Sequence, residues 1–360
     1  MPPADGALTG PVLVVGAGLL GTSIGLALRR HGLEVLLEDV NPQNLTIASG
    51  LGAGTAASDG ARPQLVVVAV PPDHLPEAIT QALECHEAVV TDVGSVKSAP
   101  LREVERRMGT GSLSRYVGSH PMAGSERSGP LAASAALFDG RPWAVTPHEG
   151  SDPGAVFLVD ELVGLCGATP LRFTPDEHDQ AVARTSHLPH LLAALVAARL
   201  TDAPSSHLAL SGQGVRDVTR IAAGDPLLWL QIVTANSPAL TALLGDVRDD
   251  VDRLLAAVRD GERGTIAAVL DRGVAGTAAI PGKHGGPAEP VGALFVAVPD
   301  HPGELARLLA DAGQIGVNVE DLHIDHDPGR PVGLVELAVA TDRVDFLKGA
   351  LEARGWTTHR

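Results

Sequence analysis

Aromatic side chains make up only 2% of this 360-residue chain: 5 Phe, 3 Trp and 1 Tyr. A core nearly without rings must be filled by Leu, Val, Ile and Ala, and 44% apolar residues supply enough of them. Cysteine is equally scarce, since Cys85 and Cys166 stand alone. Two isolated thiols offer neither a disulfide framework nor a spaced metal motif, and they fit a reducing cytoplasm. No apolar run approaches the roughly 18 residues of a membrane span. Residues 1–11 (MPPADGALTGP) lack the charged and apolar regions of a secretion signal. The expectation is a soluble, cytoplasmic protein with no membrane partner. Positive charge is in deficit: 27 Lys and Arg face 43 Asp and Glu, a formal charge of −16. That balance disfavours nucleic acid as a partner, so arginines that do cluster need a local reason. Gly (41) and Pro (27) are frequent but dispersed, which is not the pattern of a low-complexity chain.

What is present is an alternation of short apolar runs and helical patterns. Val12–Val15 runs into Gly16-Ala-Gly18-Leu-Leu-Gly21, then a helical stretch ending at Gly32, then Glu34–Leu37 followed by Glu38-Asp39. Further strands are expected at Leu65–Val70 and Ala88–Thr91, with more βα material at Tyr116–Gly118 and Trp143–Thr146. This order predicts a parallel, doubly wound, Rossmann-like α/β domain over residues 1–173. The rhythm changes at Phe173-Thr174-Pro175-Asp176-Glu177, where Thr174, Pro175 and Glu177 form a capping-box start. Helix then follows helix to about residue 280, which predicts an all-α domain over 174–280. Residues 281–290 are a Gly/Pro-dominated linker. The remaining residues, 291–360, show the βαββαβ rhythm of a small α+β domain.

Gly16-x-Gly18-x-x-Gly21 follows a strand and opens a helix, and Asp39 lies at the end of the next strand. In a dinucleotide fold the first glycine permits the turn, the second lets the backbone approach a pyrophosphate, and the third lets helix and strand pack closely. The helix N-terminus supplies free N–H groups and partial positive charge. Asp39 can accept from a ribose 2′-hydroxyl and would repel a 2′-phosphate, which favours NAD over NADP. Leu19 and Leu20 inside the motif and Val70 at the end of the third strand complete the expected cofactor contacts. The alternative is a glycine-rich turn that binds nothing.

Polar residues concentrate in three later stretches: Thr91–Lys97 (TDVGSVK), Gly118–Glu126 (GSHPMAGSE), and a set between Thr174 and Trp229. The last holds His178, Ser186, His187, His190, Arg216, Arg220 and Trp229. Arg216 and Arg220 are four apart and share a helix face, where like charges repel modestly. A dianionic ligand would explain the pair; two surface arginines paired with Asp217 or Asp225 are the alternative.

GAGLLGTSIGLAL, TDVGSVK, GSHPMAGSE, SHLPH and RDVTRIAAGDPLLW, in that order and over essentially the whole chain, resemble the prephenate/arogenate dehydrogenase family. The resemblance implies NAD-dependent hydride removal from a cyclohexadienol ring, which loses its ring carboxylate as CO₂ and becomes aromatic. Prephenate is the preferred substrate and arogenate the alternative. His120 would accept the hydroxyl proton, which suits an imidazole with an ordinary pKa of about 6.5, and Ser95 would orient its ring. Arg220, with Arg216 beside it, would bind a carboxylate. Ser186 and His190 match family positions that face the substrate, Ser125 and Glu126 follow the His120 loop and would contact its polar groups, and Trp229 is expected to be part pocket wall and part core. Pro189 is expected to kink its helix and aim His190 at the cleft. No metal is expected, since hydride transfer needs none. The helical domain of such proteins commonly pairs two subunits, so a homodimer is expected.

Asp300-His301-Pro302-Gly303-Glu304-Leu305 resembles the signature turn of ACT domains, which implies tyrosine as a feedback ligand; a purely structural or dimerising module is the alternative. Two other readings of the chain are possible on fold alone. A catalytically dead amino-acid sensor is disfavoured by the intact glycines, Asp39, His120 and Arg220. A generic β-hydroxyacid dehydrogenase often relies on a lysine in its helical domain, and residues 174–280 contain none.

Overall fold

The computed structural model describes residues 7–109, 113–123, 128–281, 290–326 and 332–360. The chain forms two compact units, divided at Asp249 and Asp250.

The first unit opens with β1 (Val12–Val15), α1 (Leu19–Arg30), β2 (Val35–Glu38), α2 (Pro42–Gly50), β3 (Thr55–Ala56) and β4 (Leu65–Val68). It continues with α3 (Leu75–Cys85), β5 (Val89–Asp92) and α4 (Ser98–Met108). The five strands form one parallel sheet in the order β3-β2-β1-β4-β5. Its two faces can be read from residue parity. Val12, Val14, Val35, Leu37, Leu65 and Val67 pack on one side, with Ile24 and Leu28 of α1. Leu13, Leu36, Val66 and Val68 pack on the other, with Ile79 of α3 and Val104 of α4. Strands covered on both faces need unbroken apolar runs, which is why VLVV and LVVV carry no alternation. The expected doubly wound sheet is therefore present, with strand ends shifted by a residue or two.

A second, mixed sheet departs from the parallel expectation. β6 (Gly118–Pro121) runs antiparallel to β7 (Pro142–Thr146), which runs parallel to β8 (Thr169–Arg172) after α5 (Pro153–Leu165). A parallel bridge from Val90 to Tyr116 links this sheet to β5. His120 consequently sits within a strand and not beyond one.

β8 ends at Arg172 and α6 (Pro175–Val182) begins three residues later, where sequence punctuation places the change. Both bonds of the capping box form: Glu177 N–H donates to Thr174 Oγ1 at 3.3 Å, and Thr174 N–H to Glu177 Oε2 at 2.9 Å. The compact units part later in the chain, because α6 is bonded into the sheet region through Asp179. Pro189 was expected to kink its helix. The irregularity lies just before it, in a π-turn over Ala183–His187, with Leu188 N–H bonded to Ala183 O five residues back. Pro189 has no N–H and its ring crowds the preceding turn, so a wider turn accommodates it while α7 (Leu188–Ala198) continues. α8 (Ser205–Leu208), α9 (Gln213–Arg220) and α10 (Pro226–Ala235) follow, then α11 (Ser237–Asp260), within which the units divide. Among the described residues no single helix is long and apolar enough to cross a membrane.

The second unit contains α12 (Arg263–Ala278), β9 (Val291–Pro299), α13 (Glu304–Ile315), β10 (Asp321–His326), β11 (Val332–Ala340), α14 (Val344–Glu352) and β12 (Thr357–His359). Beyond α12 this is a βαββαβ order, with an antiparallel sheet arranged β10-β11-β9-β12. Leu294, Val296 and Val298 of β9 alternate inward against Leu308, Leu347 and Leu351 of the two helices.

Candidate active site

A cavity of about 880 Å³ opens at the carboxyl ends of the parallel strands. Gly16, Asp39, Val70 and Ser95, which follow β1, β2, β4 and β5, all line it, as do Gly18, Leu19 and Leu20 at the start of α1. Open α/β sheets bind ligands at this edge, where the strand order reverses. Gly16 has φ +101°, and a Cβ there would lie 2.4 Å from Ala69 O. A Cβ on Gly21 would lie 1.9 Å from Gly16 O, whereas one on Gly18 would meet nothing within 4 Å. Two glycines thus close the turn, and the third leaves a bare approach at a helix N-terminus. Asp39 accepts from Ala17 N–H at 2.6 Å and from Asn41 N–H at 2.7 Å, which fixes its carboxylate on the cavity wall. These residues fit a dinucleotide.

His120 lines the same cavity. Its strand is clamped from below: the Lys97 ammonium donates to Ser119 O at 2.6 Å, and Ser119 Oγ donates to Asp92 O at 2.8 Å. Lys97 is buried and ion-paired with Asp92, which also accepts from Tyr116 OH at 2.7 Å. Burial pushes the Lys97 ammonium below its ordinary range while Asp92 pulls it back. Ser95 shares the cavity, and among the described residues no hydrogen bond joins it to the His120 imidazole. The ring contact described for His120 runs from Nδ1 to Nε2 of His178, 3.0 Å away, and His178 Nδ1 lies 2.9 Å from Asp179 Oδ1. Ser95 sits in the loop between β5 and α4, whereas α6 carries His178 directly beside β6. Burial pushes His120 well below the ordinary histidine value, and nearby His178, Lys97 and His187 add to the shift. At neutral pH the ring is neutral and able to accept a proton.

The helical residues are distributed differently from the expectation. His190 stacks on Trp229, and His187 meets the same ring edge-on. His187 and His190 are buried, while Ser186, Arg216 and Arg220 are exposed, and none of these lines the cavity. Leu228 of α10 does line it, and Gln231 of that helix accepts from Asp73 N–H at 3.3 Å. Ser125 and Glu126 lie outside the described residues. His178, Asp179, Asp92 and Lys97 form a buried network whose roles the motifs alone did not assign. Its only sequence signal was a density of polar residues that a core does not need.

Two family domains account for most of the chain. The prephenate dehydrogenase nucleotide-binding domain matches residues 24–171, and the prephenate dehydrogenase dimerization domain matches residues 174–272. The chain belongs to the prephenate dehydrogenase family. NovF of Streptomyces niveus, named a probable prephenate dehydrogenase, is 37% identical over 96% of this chain and 98% of its own. Among solved structures, prephenate dehydrogenase from A. aeolicus in complex with hydroxyphenyl propionate and NAD⁺ is similar with a TM-score of 0.66. It is 27% identical, over 74% of this chain and 96% of that one. Synechocystis arogenate dehydrogenase is similar with a TM-score of 0.63 and 27% identity, over 74% of this chain and 98% of that one.

Proposed function

We propose that this family member oxidises and decarboxylates prephenate to 4-hydroxyphenylpyruvate, with His120 as the proton acceptor. It is an NAD-dependent dehydrogenase. The observation that carries the reading is that His120 faces the cavity that also holds the glycine turn and Asp39. Gly16, Gly18, Leu19, Leu20, Asp39 and Val70 would hold the cofactor, which supplies the hydride acceptor when bound. His120 removes the proton of the substrate hydroxyl, so that the ring can become aromatic as CO₂ leaves. Arg220 and Arg216 would meet the carboxylates, with Ser186, His190, Trp229, Ser125 and Glu126 around the substrate. Ser95 would contact the substrate side of the cavity.

The domain limits proposed are 1–173, 174–280 and 291–360, joined by a linker over 281–290. A homodimer through the helical region is supported by the family's dimerization domain and by exposed Leu195, Leu227 and Leu230. The βαββαβ order beyond the linker supports an ACT-like module with tyrosine as its ligand. A cytoplasmic location accords with the two free thiols.

The test is to supply NAD⁺ with prephenate or with arogenate and follow NADH absorbance. Turnover of prephenate is expected. Turnover of neither would overturn the proposal, and turnover of arogenate alone would replace the substrate. Tyrosine titration of the full chain is expected to inhibit, and insensitivity would remove the regulatory role.

A further inference from the structure

Asp179 binds the start of α4 with both oxygens: Lys97 N–H donates to Oδ1 at 2.8 Å, and Ser98 N–H donates to Oδ2 at 2.9 Å. Two backbone donors mark it as an ionised acceptor. Burial pushes its carboxyl up, but the donors from His178, Lys97 and Ser98 together outweigh that and hold it below the ordinary range. An acceptor-only carboxylate forces the next group to donate. His178 Nδ1, at 2.9 Å, therefore carries its proton. Burial keeps His178 neutral, so its Nε2 has a lone pair. That lone pair faces His120 Nδ1 at 3.0 Å and fixes the His120 proton there. The one nitrogen of His120 left basic is Nε2.

We propose that His178 and Asp179 are positioning residues for the proton transfer, acting as a His–Asp relay that fixes the tautomer and orientation of His120. The inference rests on the reading of His120 as proton acceptor. The relay also explains a burial that would otherwise cost stability without return: His178 is 1% exposed and Asp179 6%. When His120 takes a proton, the carboxylate charge is felt through the His178 imidazole and stabilises the cation. The groups around it are His178 and Asp179 on α6, His187 in the π-turn, Lys97 before α4 and Asp92 at the end of β5. Of the two carboxylates Asp92 is ion-paired with Lys97, which leaves Asp179 to offset burial.

The experiment compares the full-length chain with His178→Leu, His178→Gln, Asp179→Asn and His120→Asn, with NAD⁺ and prephenate, across acid to mildly alkaline pH. Glutamine can still accept from His120 and donate to Asp179; leucine can do neither. His178→Leu is expected to lower kcat about tenfold or more with KM for NAD⁺ unchanged. The acid limb of its kcat profile moves to lower pH, because the cation loses its stabilising partner. Asp179→Asn moves the limb the same way, and His178→Gln restores most of kcat and the wild-type limb. Equal loss in Leu and Gln variants would mean a structural role and overturn the proposal. Full activity in His178→Leu alongside an inactive His120→Asn would overturn the relay and leave His120 as base. An active His120→Asn would overturn the underlying reading. Nitrogen-15 NMR of the wild-type histidines tests the relay without any variant: a His120 proton on Nδ1 is expected, and one on Nε2 refutes it.

Discussion

His190 lies flat on Trp229, with ring centroids 3.5 Å apart and planes within 9° of parallel. Gly224 fills the edge of this stack. A Cβ there would fall 2.6 Å from Trp229 Nε1 and 3.2 Å from His190 Cε1. Burial lowers the His190 proton affinity, and the backbone of Ile221, the residue after Arg220, acts on the ring in the opposite direction. Gly224→Ala should therefore push the rings apart and shift the end of α9. A stability loss of about 1–3 kcal/mol is expected in denaturant titration, with a raised KM for prephenate and unaltered KM for NAD⁺. An unchanged midpoint and KM would mean that the stack does not hold α9.

The three glycines of the first turn separate folding from binding. Gly21→Ala forces a Cβ onto Gly16 O and should lower the thermal midpoint sharply. Gly18→Ala meets no protein atom, so it should fold normally and weaken NAD⁺ binding alone, as read by calorimetry. Equal behaviour of the two variants would remove Gly18 from the cofactor approach.

Asp39 presents a negative charge on the cavity wall. Asp39→Asn removes the repulsion of a 2′-phosphate while keeping a hydrogen-bonding side chain. The ratio of kcat/KM for NAD⁺ over NADP⁺ is expected to fall by about tenfold or more. A constant ratio would place the discrimination elsewhere.

Acid should unfold this protein through its histidines. Burial pushes His187 down to about 4, and His178 and His120 shift in the same direction. Above an ordinary value of about 6.5 neither folded nor unfolded state carries the charge, so nothing is lost. As pH falls from about 6.5 toward about 4, the unfolded chain takes up the His187 proton and the folded one does not, and stability declines. His187 Nδ1 also faces Asn236 Nδ2 at 3.1 Å, a contact that protonation of that nitrogen would break. Thermal midpoints should fall between neutral pH and pH about 5, and less so in His187→Gln. A midpoint equally sensitive in both would exclude His187 as a contributor.

The first βαβ unit was legible because each of its signals is local. A glycine at fixed spacing, an apolar run and an acidic strand end all lie within thirty residues of one another. The same holds for the capping box at Thr174. The His178–His120 contact spans 58 positions and leaves no spacing to read; it exists because α6 returns against β6. The mixed sheet was hidden for a related reason. β6 is four residues, GSHP, with little apolar pattern, and its direction is set by pairing with β7 and not by its own sequence. Pro189 announced an irregularity but not its form, since a proline in a helix can be met by a kink or by one wider turn. Arg220 stands out in the sequence by its family resemblance and its spacing from Arg216, and its exposure follows from helix packing that neither encodes.

The loop Val93–Lys97 has two faces. Val93, Gly94 and Ser95 form part of the cavity wall, while Lys97 N–H holds Asp179. A ligand pressing on the first three residues acts on the same short backbone that fixes the carboxylate behind His178. Dinucleotide affinity and histidine proton affinity are then parts of one equilibrium, and each must alter the other by the same factor. In acid buffer, where these buried histidines begin to charge, binding should be accompanied by a measurable exchange of protons with the buffer.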